Sequence, residues 1–352
     1  MNYAFIPLLC TAALFARETT PAKPIPAPVS KETLLKGHDL PNQNCWTTLS
    51  ASGLYWQPHV EGLDYVLKNN EGTLLPNGAT VKHMDFDWSG GFRVSAGGKL
   101  PEQMDLDLTW TWYRSTGSSS QNDVSGFSTL YSVWSFPGQT SSEEHGKISG
   151  SLLLNLIDLQ MSALFSPRDF FDLKTSFSLI GASLHQKYNI HLSGGTVPQS
   201  QNSPIADDHI SMKNKFSGIG PKLGLDTIWI LGKGLSIFGR GNLALLYGRF
   251  KVSQAESILT AGGVSTEVVD VKNHFTLARA FFDYVVGVRW DYLFTSEKCR
   301  FTLEAGWENL LFFGQNNLIR FPSIGQGQSG INIPGKGDLS LQGLTLKTGF
   351  FF

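Results

Sequence analysis

The stretch that decides the fold runs from Asp105 to Arg114 and reads DLDLTWTWYR. Its even-numbered side chains are apolar up to position 112, and the odd-numbered ones carry polar groups. The apolar set is Leu106, Leu108, Trp110 and Trp112, and the opposing set is Asp105, Asp107, Thr109, Thr111 and Tyr113. Because side chains alternate across a strand, this segment predicts a strand with one apolar and one polar face.

The same alternation recurs after residue 45, without helical segments that could cover an apolar sheet. A closed barrel solves this problem, because its apolar side faces lipid and its polar side faces a lumen. The predicted strands are 46–57, 84–98, 104–114, 147–165, 170–192, 215–230, 235–254, 273–294, 300–313 and 338–352. The predicted fold is an all-β, transmembrane, antiparallel up-and-down barrel of about ten strands.

Twelve strands is the alternative, because Phe127 to Trp134 lies in the predicted loop 115–146 and could form a further hairpin or an in-folded loop. Long connections alternate with short turns, as in outer-membrane barrels. The long ones are 58–83, 115–146, 193–214, 255–272 and 314–337. An even number of strands then places both ends of the chain on the periplasmic side.

Composition agrees with a barrel and excludes other classes. The 352 residues carry a net charge of −1, so no basic excess indicates nucleic-acid binding. The 37 glycines suit turns and closely packed strands. Beyond the N-terminus no apolar run reaches 18 residues, which excludes a helical span but not strands that are half apolar.

The two ends of the chain indicate export to the outer membrane. Residues 1–16 are predicted to be a signal peptide, 17–45 a Pro-rich periplasmic leader, and 46–352 the barrel. The chain closes on an alternating strand that ends at Phe352. A terminal aromatic residue of this kind resembles the insertion signal that the barrel-assembly machinery reads. Outer-membrane lipid and this machinery are therefore the expected partners, and a homo-oligomer is a further expectation.

Charged side chains fall on the polar face of the predicted strands, because a charge facing lipid at mid-depth costs about 2–4 kcal/mol. The predicted pore-lining residues are Arg93, Asp105, Asp107, Lys174, Lys222, Asp226, Arg240, Asp283, Arg289, Asp291, Glu304, Glu308 and Lys347. Their near balance predicts weak ion selectivity if a water path exists, or else pairing across a narrow lumen that closes it. Phe238 and Leu246 break the pattern on the polar side, and His185 and Arg249 break it on the apolar side.

Aromatic side chains are predicted to form the interfacial belts of the barrel. The set near strand ends is Tyr55, Trp56, Trp110, Trp112, Trp229, Trp290, Trp307 and Phe352.

Ordered motifs along the chain resemble the Legionella-type major outer membrane protein family, which Chlamydia-related bacteria also carry. The opening match is Leu54-Tyr55-Trp56-Gln57, followed by Glu61-Gly62-Leu63-Asp64-Tyr65. Later matches include Gly218-Ile219-Gly220-Pro221, Gly287-Val288-Arg289-Trp290-Asp291 and the closing Leu341-Gln342-Gly343-Leu344. The likeness spans roughly residues 46–352 and implies an outer-membrane barrel with porin-like activity and no catalytic residues.

Fragments that imitate catalytic or binding sites have simpler explanations. Gly239 to Ala244 fits a dinucleotide pattern, but no helix follows it. His83 to Asp87 and Asp207-Asp208-His209 place carboxylates beside histidines without evidence that they converge. We therefore expect no enzyme activity, catalytic residue, cofactor or metal ion. Cys45 and Cys299 both fall on the periplasmic side and could form a disulfide.

The predicted function is passive diffusion of small hydrophilic solutes or ions through a porin-like lumen. The alternative is a plugged structural or adhesive surface barrel that contacts a host through long extracellular loops.

Overall fold

The alternating segments form ten long antiparallel strands in a computed structural model of the chain. The structure describes residues 47–69, 79–100, 104–123, 130–140, 143–168, 170–197, 203–294, 299–321, 333–334 and 337–352. The long strands are β1 (Thr47–Val60), β4 (Ser89–Leu100), β5 (Met104–Asn122), β7 (His145–Arg168), β8 (Phe171–Ser193), β10 (Ser203–Gly232), β11 (Leu235–Thr260), β12 (Ser265–Leu293), β13 (Arg300–Asn316) and β16 (Gly337–Phe351).

Each long strand pairs with the preceding and following long strand, and β1 pairs with β16. The sheet therefore closes on itself as an up-and-down barrel, which confirms the prediction of ten strands. The described residues contain no helix long and apolar enough to cross a membrane.

Six further strands of the described residues are short; five lie outside the barrel sheet, and one pairs with the start of β10. They are β2 (Asp64–Lys68), β3 (Thr80–His83), β6 (Leu130–Ser132), β9 (Thr196–Val197), β14 (Ile319–Arg320) and β15 (Ile333–Pro334). β2 pairs with both β3 and β6 in a separate three-stranded sheet. The segment predicted as a hairpin or in-folded loop thus supplies β6 to this small sheet and adds no strand to the barrel wall.

Two predicted loops are wrong, because the barrel wall extends through them. The predicted loop 193–214 is largely the start of β10, which begins at Ser203. The predicted loop 255–272 is the end of β11 and the start of β12, joined by a turn at 261–264. β5 likewise runs to Asn122, into the predicted loop 115–146.

The side on which apolar residues lie reverses part-way along these strands. On β11, Leu243 and Leu245 point outward and are more than half exposed, whereas Phe250 and Val252 further along point inward and are buried. An apolar outer face needs lipid, and a polar outer face needs water. The reversal therefore marks the edge of the lipid-facing band, and the continuing strands stand in water with an apolar interior.

The reversal explains most exceptions to the sequence pattern. Leu246 is buried in the interior and Arg249 is exposed on the outer face beyond the lipid-facing band, as is His185 on β8. Trp56, predicted in an interfacial belt, is instead fully buried inside the barrel. The remaining exception, Phe238, is buried under the Arg240 guanidinium, which lies 5.4 Å from its ring centre.

Residues 1–46 lie outside the described residues, so the signal peptide and the leader stay predictions.

Candidate functional site: the barrel lumen

Most of the predicted pore-lining charges form ion pairs inside the barrel. Of the thirteen, Asp107 and Asp283 are the two without an ion pair among the described residues; Asp107 accepts a hydrogen bond from Thr48 at 3.1 Å and Asp283 one from Asn242 at 2.6 Å. The ion pairs are Arg93–Glu308, Lys174–Asp105, Lys222–Asp158, Arg240–Asp226, Arg240–Glu304, Arg289–Asp291, Arg289–Glu304 and Lys347–Glu304. The role of these residues in lining a pore stays a prediction.

Of these ion pairs, the one between Arg93 and Glu308 joins the strands that lie farthest apart in the barrel wall, β4 and β13. The Arg93 guanidinium donates to both carboxylate oxygens of Glu308, at 2.8 and 3.2 Å. Glu308 also accepts a hydrogen bond from the Thr345 hydroxyl at 2.7 Å, and the Trp56 indole nitrogen donates to that hydroxyl at 3.1 Å. Charge-assisted bidentate pairs are the strong hydrogen bonds of proteins, so this series of contacts joins β4, β13, β16 and β1.

Glu304 is the centre of a second group of charges. Its carboxylate lies 3.5 Å from Arg240, 3.8 Å from Lys347 and 3.9 Å from Arg289. Arg240 also binds Asp226 at 3.0 Å. Each charge of this group therefore has a counter-charge, which a medium of low dielectric requires.

A third group links strands on the other side of the lumen. Lys222 on β10 pairs with Asp158 on β7, across β8. Lys174 on β8 pairs with Asp105 on β5 at 3.0 Å, across β7. Asp158 was missed by the sequence analysis, although its position between the exposed Ile157 and Leu159 gives the parity signal that would have found it.

The charge groups around Glu308 and Glu304 leave little free space at the level of the lumen that they occupy. A cavity of about 10 Å³ lies among them, which is the space of one water molecule. Its lining includes Ser52, Arg93, Arg240, Glu304 and Glu308.

Beyond this ion network the interior is apolar. Inward side chains of the wall form one buried cluster with residues of β2, β6 and the segment after β13. Its larger members include Trp56, Tyr65, Phe86, Tyr113, Trp134, Tyr188, Phe216, Phe250, Phe281 and Phe312. We call residues 61–68, 130–136 and 315–321 the inner plug.

Polar contacts fix the inner plug to the wall. The Trp134 indole nitrogen donates to the Asp64 carbonyl at 2.6 Å, and Gln254 donates to the Trp134 carbonyl at 3.2 Å. Asn214 on β10 donates to the Gln315 carbonyl at 2.8 Å. The plug segments are therefore held to one another and to β10 and β11.

Three buried carboxyl groups lie beside the plug, outside the lipid-facing band. Glu256 accepts hydrogen bonds from the Phe136 amide at 2.9 and 3.1 Å, and Asp208 accepts one from the Ser135 hydroxyl at 2.9 Å. Burial, and then the nearby Asp208 charge, raise the pKa of Glu143 and of Glu256 to about 8. Burial raises the pKa of Asp208 to about 6.

The histidine and carboxylate motifs separate in the structure. His83 and Asp85 are exposed and 3.9 Å apart, and Asp208 points into the barrel while Asp207 and His209 point outward. His191 on β8 joins that outward pair, and the three side chains offer metal-ligand atoms within 4.8 Å of one another. Lys147 is the register partner of His191, and the absence of a metal ion stays a prediction.

The remaining predicted features are the dinucleotide-like fragment and the two cysteines. Gly239 to Ala244, the dinucleotide-like fragment, lies within β11. The half-buried Cys299 thiol forms no disulfide with a described residue. Cys45 lies outside the described residues, so its bridge to Cys299 stays a prediction.

The closed barrel, its outward apolar band and its charged interior define a transmembrane β-barrel of the outer-membrane class. Residues 40–352 match the family described as the Legionella pneumophila major outer membrane protein precursor. The chain therefore belongs to the Legionella major outer membrane protein family, and both family and fold fit the outer membrane. No curated protein matches its sequence.

Solved structures with similar folds are distant in sequence. The outer membrane protease OmpT of Escherichia coli is 11% identical, with a TM-score of 0.41 over 90% of this chain and 100% of that one. The translocator domain of the autotransporter NalP of Neisseria meningitidis is 14% identical, with a TM-score of 0.32 over 87% and 89%. A Pseudomonas aeruginosa FadL homologue is 10% identical, with a TM-score of 0.29 over 88% and 90%.

Proposed function

We propose that this protein is a closed outer-membrane barrel with a structural surface role, whose extended end makes contacts outside the cell. The observation that carries the proposal is the small free space inside the barrel. The ion network occupies one level and the inner plug occupies the next, and the cavity in the network has room for about one water molecule.

The long strands support the surface role. β10 has 30 residues and β11 has 26, whereas a tilted strand of about 9–11 residues spans a bilayer. The wall therefore continues far beyond the lipid-facing band. Because its polar face points outward and its apolar side chains are buried inside, that extension is stable in water.

Passive diffusion of solutes or ions, the function that the family resemblance implies, needs a continuous water path. About eight strands leave an interior that side chains can fill, and ten strands lie close to that limit. The pairing of Arg93 with Glu308 across the interior supports the closed alternative.

Single-channel recording in planar bilayers tests the proposal. Protein shown to be folded and inserted, by heat-modifiable gel mobility and protease protection of reconstituted samples, should give no stepwise conductance. The inner plug should keep the barrel silent when Arg93→Gln and Glu308→Gln together remove the charge pair. Regular steps from the unmodified protein would overturn the proposal and support diffusion.

A further inference from the structure

Five exposed cations form a continuous group on the outer wall, next to the lipid-facing band. They are Lys187 on β8, Lys213 and Lys215 on β10, and Arg249 and Lys251 on β11. All five side chains point outward, opposite in parity to buried neighbours such as Met212 and Phe250. We call this group the basic face.

Strand register places like charges opposite one another in this group. Lys213 is the register partner of Lys187, and Lys215 is the register partner of Lys251. Like charges directly opposite in a sheet destabilise it. None of the five forms an ion pair with a carboxylate of the described residues. Lys272 on the neighbouring β12 differs, because it binds Asp270 at 3.0 Å.

The basic face begins at the depth of lipid headgroups. Ile219 and Tyr247 are register partners and are more than half exposed, so they mark the edge of the lipid-facing band. The next outward pair along the strands contains Arg249, and the one after it is Lys215 with Lys251. Each step is roughly 7 Å along a tilted strand, which places Arg249 in the polar zone that flanks the hydrocarbon core and Lys215 and Lys251 just above it.

We propose that the basic face binds the phosphate groups of lipopolysaccharide in the outer leaflet. The face is continuous with the lipid-facing band, and it lies at the end of the barrel away from the paired chain ends Thr47 and Phe352. Lysine binds phosphate as a point charge, and closely spaced lysines on adjacent strands match a headgroup with two phosphates. Bound phosphate would offset the repulsion between the facing lysines. The proposal requires this membrane orientation but not the closed lumen.

Thermal unfolding of the detergent-solubilised full chain, titrated with bisphosphorylated lipid A, tests the proposal. Dephosphorylated lipid A and inorganic phosphate serve as the alternative probes. Lys215→Gln with Lys251→Gln should weaken lipid A binding about 30-fold, since each lysine near an anionic surface contributes on the order of a 5-fold change. Without lipid the double variant should be at least as stable as the unmodified protein, because a like-charge pair is gone.

Lys233→Gln with Lys272→Gln is the matched control, because it removes the same charge outside the basic face and should leave binding within about twofold. Three results would each overturn the proposal: equal binding of dephosphorylated lipid A, stabilisation by inorganic phosphate alone at millimolar concentration, or equal losses in the two double variants.

Discussion

Arg93 on β4 reaches over the positions of β1 and β16 to Glu308 on β13, and its guanidinium holds both oxygens of that carboxylate. The Glu308 side chain is 5% exposed, so the pair is enclosed by the barrel. Two strands that are not neighbours in the wall are thereby joined through the lumen. This contact supports the proposal that paired charges close the interior.

Breaking this pair from one side should destabilise the barrel more than removing it entirely. Arg93→Met leaves a buried carboxylate without its counter-charge, which costs about 3–5 kcal/mol. Arg93→Met with Glu308→Met leaves no buried charge and should lose clearly less than the sum of the two single variants. Urea unfolding in lipid vesicles measures the three free energies, and simple additivity would show that the two side chains are energetically independent.

The inner plug should contribute more to stability than aromatic groups of the same type on the lipid face. Trp134→Ala removes a buried ring and its hydrogen bond to Asp64, with an expected cost of about 3–5 kcal/mol. Trp110→Ala is the matched control, because Trp110 is 42% exposed on the outer wall and should cost far less. Unfolding in detergent compares the two, and equal losses would contradict the packing of the plug.

Stability should fall as pH rises from 5 to 9. The folded state raises the pKa of Glu143 and Glu256 to about 8, so it favours their protonated forms. Their stabilising contribution is complete below the ordinary carboxyl pKa and is lost as pH rises through about 8. Thermal unfolding across this range checks the direction.

Glu256→Gln should flatten this pH dependence, because a neutral amide can still accept the Phe136 amide proton. Glu267→Gln, at an exposed position on β12, should leave it unchanged. If stability depends on pH in the same way in both variants, Glu256 does not contribute to the pH dependence.

Two arginine substitutions on either side of the edge of the lipid-facing band should differ in how much they lower the free energy of unfolding. Val286→Arg places a charge within the band, where Val286 is 57% exposed, and should cost about 2–4 kcal/mol. Ala255→Arg lies on the outer face beyond the band, with Asp270 as register partner, and should cost little. Similar losses at both positions, measured by unfolding in vesicles, would place lipid against the whole wall.

Sequence alternation predicts the part of the barrel that lies in lipid. There the solvent on each face is fixed, so Leu223, Asp226 and Arg240 can be assigned to a face from parity alone. It fails where the surroundings change. The apolar Leu243 faces outward and the polar Asn242 inward, whereas the apolar Phe250 faces inward and Lys251 outward. The local sequence does not show where along the strand the lipid ends.

Contacts between segments that are distant in the chain could not be predicted from the sequence either. The inward fold of residues 130–136 depends on partners such as Asp208 and Glu256 on β10 and β11, which lie far away in the chain. The choice between a water path and closure likewise depends on which charges meet. The sequence predicts charges of both signs in the lumen, but Arg93 finds Glu308 through barrel closure.

Access of water-soluble thiol reagents to the lumen tests the closed interior most directly. Ser52 lines the ion network and is 5% exposed, whereas Val264 in the turn between β11 and β12 is 61% exposed. In protein with Cys10, Cys45 and Cys299 replaced by serine and reconstituted in vesicles, we predict rapid modification of Val264→Cys and almost none of Ser52→Cys. Modification of Ser52→Cys at the rate of Val264→Cys would show a water-filled lumen and contradict the account.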